Sequence, residues 1–426
     1  MNYFEYRNGA LFAEGVALKR IAQEVGTPAY VYSLATLKRH YQVFDQAFAK
    51  AAHVVCYSVK ANSNLALLRA FAKLGSGFDI VSGGELFRAL KAGGDPKKIV
   101  FSGVGKKKEE IEYALNSGIL MFNVESDEEL TALNEIAAGV GKKAPISLRV
   151  NPDVDPQTHP YISTGMKKAK FGVDIKKSLE TYRKAAALKH IDVVGVDCHI
   201  GSQLTSVTPF VDALAKVREY LDRVLAGELK KEGARIRYLD LGGGLGINYH
   251  DETPPLPDEY ARAIVQGLEG LDVTLILEPG RVIVGNAGLL LTEVQYLKET
   301  ESKKFVIVDA GMNDLIRPAL YGSYQAIQPV VESKSEKIVA DVVGPICESG
   351  DFFAKDREIA RPRRGDLLAV MSAGAYGFTM ASNYNSHPKP PEVLVDGDQY
   401  YVVRKRESLD DLINGEVIPA SLEKMA

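Results

Sequence analysis

Cysteine is scarce in this chain: Cys56, Cys198 and Cys347 are the three present in 426 residues. Three thiols cannot build a disulfide framework, and their spacing matches no zinc motif, so a reducing cytoplasm is the expected setting. An excess of one charge is also missing. The net charge is -3, which gives no reason to expect a nucleic-acid or anionic-membrane partner. No run of 18 or more apolar residues occurs, so no membrane span is expected. Met1 to Gly15 has no basic stretch followed by an apolar core, and no signal peptide is expected there. No His/Asp cluster suggests a metal, and no repeat is visible beyond a strand–helix unit.

What is present is ordinary in bulk, with 46% hydrophobic and 25% charged residues. Its order along the chain is more informative. Apolar runs at 53–59, 77–82, 97–102, 118–124, 145–151, 192–200, 235–241 and 273–278 read as eight strands, and the first seven each precede a segment of helix length. Ser126 with Glu129 three residues on reads as a capping box, followed by Leu130, Leu133, Ile136 and Ala137 at helical spacing. Gly93-Gly94 reads as a helix stop. Lys106-Lys107-Lys108 ahead of Glu109 and Glu110 reads as the solvated start of another helix. Eight such units over about 250 residues predict a (β/α)8 barrel, with a doubly wound open sheet as the alternative. After residue 280, short strand-like runs separated by turn residues predict an all-β domain. The expected divisions are 1–28 as a strand segment belonging to that β domain, 29–281 as the barrel, and 282–426 as the β domain.

In a barrel the chemistry collects at the C-terminal strand ends. The first strand runs into Lys60, where burial is expected to favour the neutral amine needed for a Schiff base. The second carries Asp79, the sixth runs into His199 and Ser202, the seventh into Gly242-Gly243-Gly244, and the eighth into Glu278-Pro279-Gly280-Arg281. A lysine ending a strand ordinarily just reaches solvent, a strand histidine is ordinarily core, and glycines often serve a tight turn. Four such features at strand ends are hard to assign to coincidence. Together they fit pyridoxal 5'-phosphate: an amine for its aldehyde, anion donors for its phosphate, and a carboxylate for its ring nitrogen. Glycine backbone can approach phosphate without side-chain interference, and Gly280 and Arg281 could add donors. The flat ring of His199 can stack on the pyridine.

The runs Tyr57-Ser58-Val59-Lys60-Ala61-Asn62, His199-Ile200-Gly201-Ser202-Gln203, Leu241 to Gly246, Glu278 to Arg281, Arg317-Pro318-Ala319-Leu320-Tyr321 and Cys347-Glu348-Ser349-Gly350-Asp351 resemble, in order, the basic amino-acid decarboxylases of the alanine-racemase-like (fold type III) pyridoxal-phosphate enzymes. The resemblance covers nearly the whole chain. It implies that Lys60 holds the cofactor, His199 stacks on its ring and Glu278 pairs with its nitrogen. It further implies that Ser202, Gly242, Gly243, Gly244 and Gly280 hold the phosphate, with Tyr376 reaching it from the β domain. Asp79 is an intermediate case, near the lysine or holding the Gly83-Gly84 turn. Arg281, Arg317 and Tyr321 match positions that bind a substrate carboxylate, Glu348 one that binds a substrate amine, and Cys347 the proton donor, contributed across a homodimer interface. The implied substrate is a small amino acid with a second amino-acid head. The segment Ser163 to Gly172 looks like the family's mobile loop, with Ala169 where members often carry serine.

Overall fold

A computed structural model describes residues 2–155, 158, 170–227 and 236–423. The chain forms two compact units. One holds Leu34–Ala287 with Gly374–Thr379; the other holds Tyr3–Ser33, Gly288–Ala373 and the chain from Met380 on.

The first unit is a closed eight-stranded parallel barrel. Its strands are β1 (His53–Ser58), β2 (Gly77–Ile80), β3 (Ile99–Phe101), β4 (Met121–Val124), β5 (Ala144–Asn151), β6 (Ile191–Asp197), β7 (Tyr238–Asp240) and β8 (Thr274–Leu277). Each pairs with the next in parallel, and β8 returns to β1 through Leu275 opposite His53 and Leu277 opposite Val55. All eight expected strands are present, and the barrel replaces the open-sheet alternative. Closure removes both sheet edges, which is why these strands read as short apolar runs buried on both faces. Cys56, Val100, Met121, Val194 and Ile276 pack together as one core cluster.

Two local expectations change. Ser126 does cap the helix Asp127–Gly139, accepting the Glu129 N–H at 3.2 Å. Glu129, however, turns its carboxylate to the N–H of Glu125 (2.9 Å) and to Lys106 Nζ (2.6 Å) rather than closing the box. Lys106 is accordingly not a solvated helix-start lysine. Its side chain is 0% exposed, and the ammonium also donates to the carbonyls of Gly103 and Asn123, both at 2.8 Å. The helix Lys108–Ser117 begins two residues later. Three acceptors for three ammonium hydrogens repay its desolvation, and they brace the ends of β3 and β4.

The second unit is mainly β. One sheet runs, in pairing order, through Phe352–Ala360, Lys337–Val343, Lys304–Val308, Gly288–Glu299, Ala29–Ser33, Glu392–Asp396 and Gln399–Arg404. Ala29–Ser33 sits inside it, antiparallel to Gly288–Leu291 and parallel to Glu392–Val395. Phe4–Arg7, Ala10–Ala13 and Val16–Ala17 form a separate three-stranded sheet. The core joins the two ends of the chain: Leu11, Leu18 and Val31 pack with Leu289, Leu291, Val330, Ala369 and Val393. Phe352–Ala360 was not among the expected strands. Its sequence carries Lys355, Asp356, Arg357 and Glu358, which mask an edge strand in a charged pattern.

Candidate active site

Lys60 lies in the short turn Val59–Ala61 that follows β1. Its Nζ donates to Asp79 Oδ2 at 2.6 Å. Asp79 is fully buried on β2 and also accepts from Ser58 Oγ at 2.7 Å. Asp79 therefore belongs to the lysine. The Gly83-Gly84 turn is held instead by Ser82 and Glu110. Burial does pull the Lys60 amine toward neutrality, but Asp79 and then Glu278 outweigh it, and its pKa lies above the ordinary lysine value. The expectation of a neutral amine is thus reversed, because a buried carboxylate sits within hydrogen-bond reach of the ammonium.

Glu278 follows β8 and lies among carboxyl groups. Asp79, Asp197, Asp240 and Glu278 are all at most 5% exposed. Asn123 Nδ2 donates to Asp240 Oδ2 at 3.2 Å and lies 3.4 Å from Glu278 Oε1, and Ser102 Oγ also lies 3.4 Å from that oxygen. Burial, then Asp240, Asp79 and Asp197, push Glu278 well above the usual carboxyl range. Asp240 is raised to about 6, chiefly by burial, with the Gly242 N–H, Asn123 and Glu278 opposing. Glu278 and Asp240 influence each other's protonation, and burial together with Asp240 favours the neutral form of Glu278.

His199 follows β6. Its Nδ1 accepts the Gly243 N–H at 3.1 Å, which places the ring proton on Nε2. Burial, followed by Arg149 and Lys60, holds it well below the usual histidine pKa, so the ring is neutral. The glycine run is shaped by close approach. A Cβ on Gly242 would fall 2.3 Å from His199 Nδ1, one on Gly243 would fall 2.2 Å from the Glu278 carbonyl, and one on Gly244 would fall 2.5 Å from the Gly201 carbonyl. The N–H of Gly242 goes to Asp240 Oδ1 (2.9 Å) and that of Gly243 to His199. This narrows the expectation of three phosphate donors: of the run, Gly244 is the one whose amide is not committed to either side chain.

Arg281 is 6% exposed and donates to Tyr249 Oη at 2.7 Å and to Ser202 Oγ at 3.1 Å. Its guanidinium lies 4.9 Å from the centre of the Tyr376 ring. Tyr376 sits in the 374–379 stretch that clusters with the barrel. Its N–H binds the Ala61 carbonyl at 2.8 Å, with φ at 55°. Gly280 backs onto β1: a Cβ there would lie 3.0 Å from Ala61 Cβ and 3.1 Å from Ser58 Cβ. Lys60, Asp79, His199, Ser202, the glycine run, Glu278, Gly280, Arg281 and Tyr376 are thus brought to one end of one unit.

Several residues of this network escaped the sequence reading as functional candidates. Arg149 binds Glu125 Oε1 at 3.0 Å and lies 3.8 Å from Asp197 Oδ2. Glu125 also accepts the N–H groups of Gly103 (3.1 Å) and Gly172 (2.9 Å). Asn123, Asp240 and Tyr249 were passed over too. For Asn123, Arg149 and Asp240 the available signal was a polar residue at the end of an apolar strand; Tyr249 carries no such signal.

Arg317, Tyr321, Cys347 and Glu348 lie in the second unit. Arg317 is 5% exposed at the start of the helix Arg317–Tyr321, and the Gln325 amide, turned so that its oxygen faces the guanidinium, accepts from it at 3.1 Å. Cys347 is exposed, and its N–H donates to Asn385 Oδ1 at 2.7 Å. Ala169 and most of the expected loop lie outside the described residues.

The donor set fits pyridoxal phosphate. Asp79 Oδ1, Asn123 Oδ1 and Asp197 Oδ1 are buried acceptors with no hydrogen-bond partner among the described residues. The buried carboxyl groups Glu125, Asp79, Asp197, Asp240 and Glu278 outnumber the cations Lys60 and Arg149, which suits a ring bearing a cationic N–H. Residues 34–285 match the family model of pyridoxal-dependent decarboxylases, at its pyridoxal-binding domain. Fold and site together define a pyridoxal-phosphate decarboxylase. The chain is 58% identical to the diaminopimelate decarboxylase of Pseudomonas aeruginosa, over 98% of this chain and 99% of that one. The structure of diaminopimelate decarboxylase from Helicobacter pylori, complexed with L-lysine, is 46% identical with a TM-score of 0.89, over 93% of this chain and 98% of that one. The enzyme of the same name from M. jannaschii, also solved with L-lysine, is 41% identical with a TM-score of 0.93, over 98% of both. The chain belongs to the diaminopimelate decarboxylase family.

Proposed function

We propose that this chain decarboxylates meso-2,6-diaminopimelate at its D centre, giving L-lysine and CO2 as the last step of lysine biosynthesis. The observation that carries this reading is the Lys60–Asp79 pair at the same barrel end as the Glu278 cluster, in a chain so similar to diaminopimelate decarboxylases. Bound pyridoxal phosphate supplies an aldehyde that condenses with an amine and a ring that accepts the electron pair left by departing CO2. Asp79 holds Lys60 Nζ in place and is the nearest acceptor for the proton that the amine must shed. Glu278 is the carboxyl group assigned to the ring nitrogen, and Asn123 links it to Asp240. The neutral His199 offers a flat face fixed by the Gly243 N–H. Ser202, Gly244 and Gly280 are the residues assigned to the phosphate, with Gly242 and Gly243 shaping the loop, and Arg281 and Tyr376 close beside them.

At the substrate's far end Arg317 and Tyr321 take the carboxylate and Glu348 the ammonium. Cys347, from a second copy of the chain in a homodimer, gives the carbon its proton. These assignments rest on the family resemblance, and three free thiols are compatible with a cytoplasmic enzyme. A decarboxylase of arginine, ornithine or carboxynorspermidine is the alternative. A substrate lacking the second amino-acid head would leave Arg317 and Glu348 unpaired, a strong discriminator. The test is a turnover panel of meso-diaminopimelate, L-arginine, L-ornithine and carboxynorspermidine, with Lys60→Ala as control. Turnover of the first substrate alone is expected, together with loss of the lysine-bound cofactor absorbance and of activity in the variant. Faster turnover of any other substrate overturns the assignment.

A further inference from the structure

The turn that carries Cys347 and Glu348 is exposed, yet it is tied down from two sides. At its base Asp351 accepts the N–H groups of Met312 and Ile346, both at 2.7 Å. At its tip a neighbour from a distant stretch takes over: Asn385 Oδ1 accepts the Cys347 N–H at 2.7 Å. That stretch is itself held in an unusual shape. Asn385 has φ 54° and ψ 26°, and Ser386 follows with φ 57°. Two consecutive left-handed residues that are not glycine cost about 1–2 kcal/mol each. Anchors on either side keep them there: Asn383 Nδ2 donates to Glu407 Oε2 at 2.6 Å, and the Lys389 N–H to the same oxygen at 2.9 Å. Asparagine is the side chain that both tolerates this region and carries an acceptor.

We propose that Asn385 is a positioning residue for the decarboxylation: it fixes the peptide plane of Cys347 and hence the direction of its thiol. This rests on the reading above in which Cys347 delivers the proton to carbon. Orienting a peptide N–H sets the Cα–Cβ direction that follows it, so one hydrogen bond aims the sulfur. A misplaced donor slows proton delivery without weakening substrate binding.

The holoenzyme variants Asn385→Gly and Asn385→Asp test this. Glycine keeps the left-handed backbone and removes only the acceptor, so folding is preserved; aspartate restores the acceptor. Asn385→Gly is expected to lower kcat about tenfold with KM within about twofold, and aspartate to recover most of it. The cofactor absorbance stays as in the parent in both. A second readout is independent of turnover. Cys56 and Cys198 are buried and Cys347 is exposed, so alkylation by iodoacetamide reports on Cys347, and its rate should change at least about threefold in Asn385→Gly. If that variant retains both its kcat and its alkylation rate, the positioning role of Asn385 is wrong. If Cys347→Ala retains kcat while Asn385→Gly still alters alkylation, it is the proton-donor reading that fails.

Discussion

Asp79 decides the charge of Lys60, and no local feature of the sequence around either residue announces it. A lysine after an apolar strand is legible; the buried carboxylate 2.6 Å from its amine is set by β1 and β2 lying side by side. Replacing Asp79 with Asn keeps the hydrogen-bonding shape and removes the charge. The lysine then gives up its proton at lower pH, and uptake of pyridoxal phosphate at neutral pH should speed by on the order of tenfold. Stopped-flow absorbance of cofactor loading measures this; an unchanged rate would mean that the pair does not control the amine. The same limit explains Asn123 and Asp240. Each is one polar letter in an apolar run, and its partner on another strand depends on barrel closure and register.

Among the elements, barrel strands and helix starts were readable because burial imposes a period and caps need particular residues. What each cap residue does with its second hydrogen bond was not readable, as Glu129 and the buried Lys106 demonstrate. The loop after β7 offers a sharper test. A methyl group on Gly243 would meet the Glu278 carbonyl at 2.2 Å, a backbone atom that cannot swing aside. Gly243→Ala is expected to cost about 1–3 kcal/mol in denaturant unfolding, the usual range for overpacking, and to weaken cofactor binding. Gly139→Ala makes the contrast: nothing lies within 4 Å of its added methyl, at the end of a helix. It should be neutral or stabilising by up to about 1 kcal/mol. Equal effects of the two would show that close approach does not constrain the loop.

Across the whole molecule, buried acids outnumber the groups that balance them. Asp240 is raised to about 6, Glu85 and Asp314 to about 7, each chiefly by burial, and Asp197 and Glu278 lie higher than usual as well. For a raised carboxyl the folded state binds more protons than the unfolded, so stability falls as pH rises from the unfolded value through the folded one. His199, lowered by burial, works the other way, since below about pH 6.5 the unfolded chain binds the extra proton. Carboxylates held low by their partners, such as Asp127 and Glu110, act below that window. Several groups against one leave a net loss. The cofactor-free protein should therefore unfold at progressively lower temperature between about pH 5 and pH 7, as read by calorimetry; a rising Tm across that interval would refute the assignment of these protons. Three-dimensional charge crowding of this kind is invisible in a net charge of -3.

The placement of Ala29–Ser33 carries a consequence for the making of the protein. Tyr30 pairs with Leu290 on one side and with Glu392 on the other, so this segment must wait for partners made about 260 and about 360 residues after it. At about 5–20 residues per second the delay is on the order of tens of seconds. Until residue 291 is made, this buried strand with its two tyrosines has neither neighbour, and until residue 395 it has only one. The nascent chain thus offers an open β edge for the time in which the barrel can complete itself.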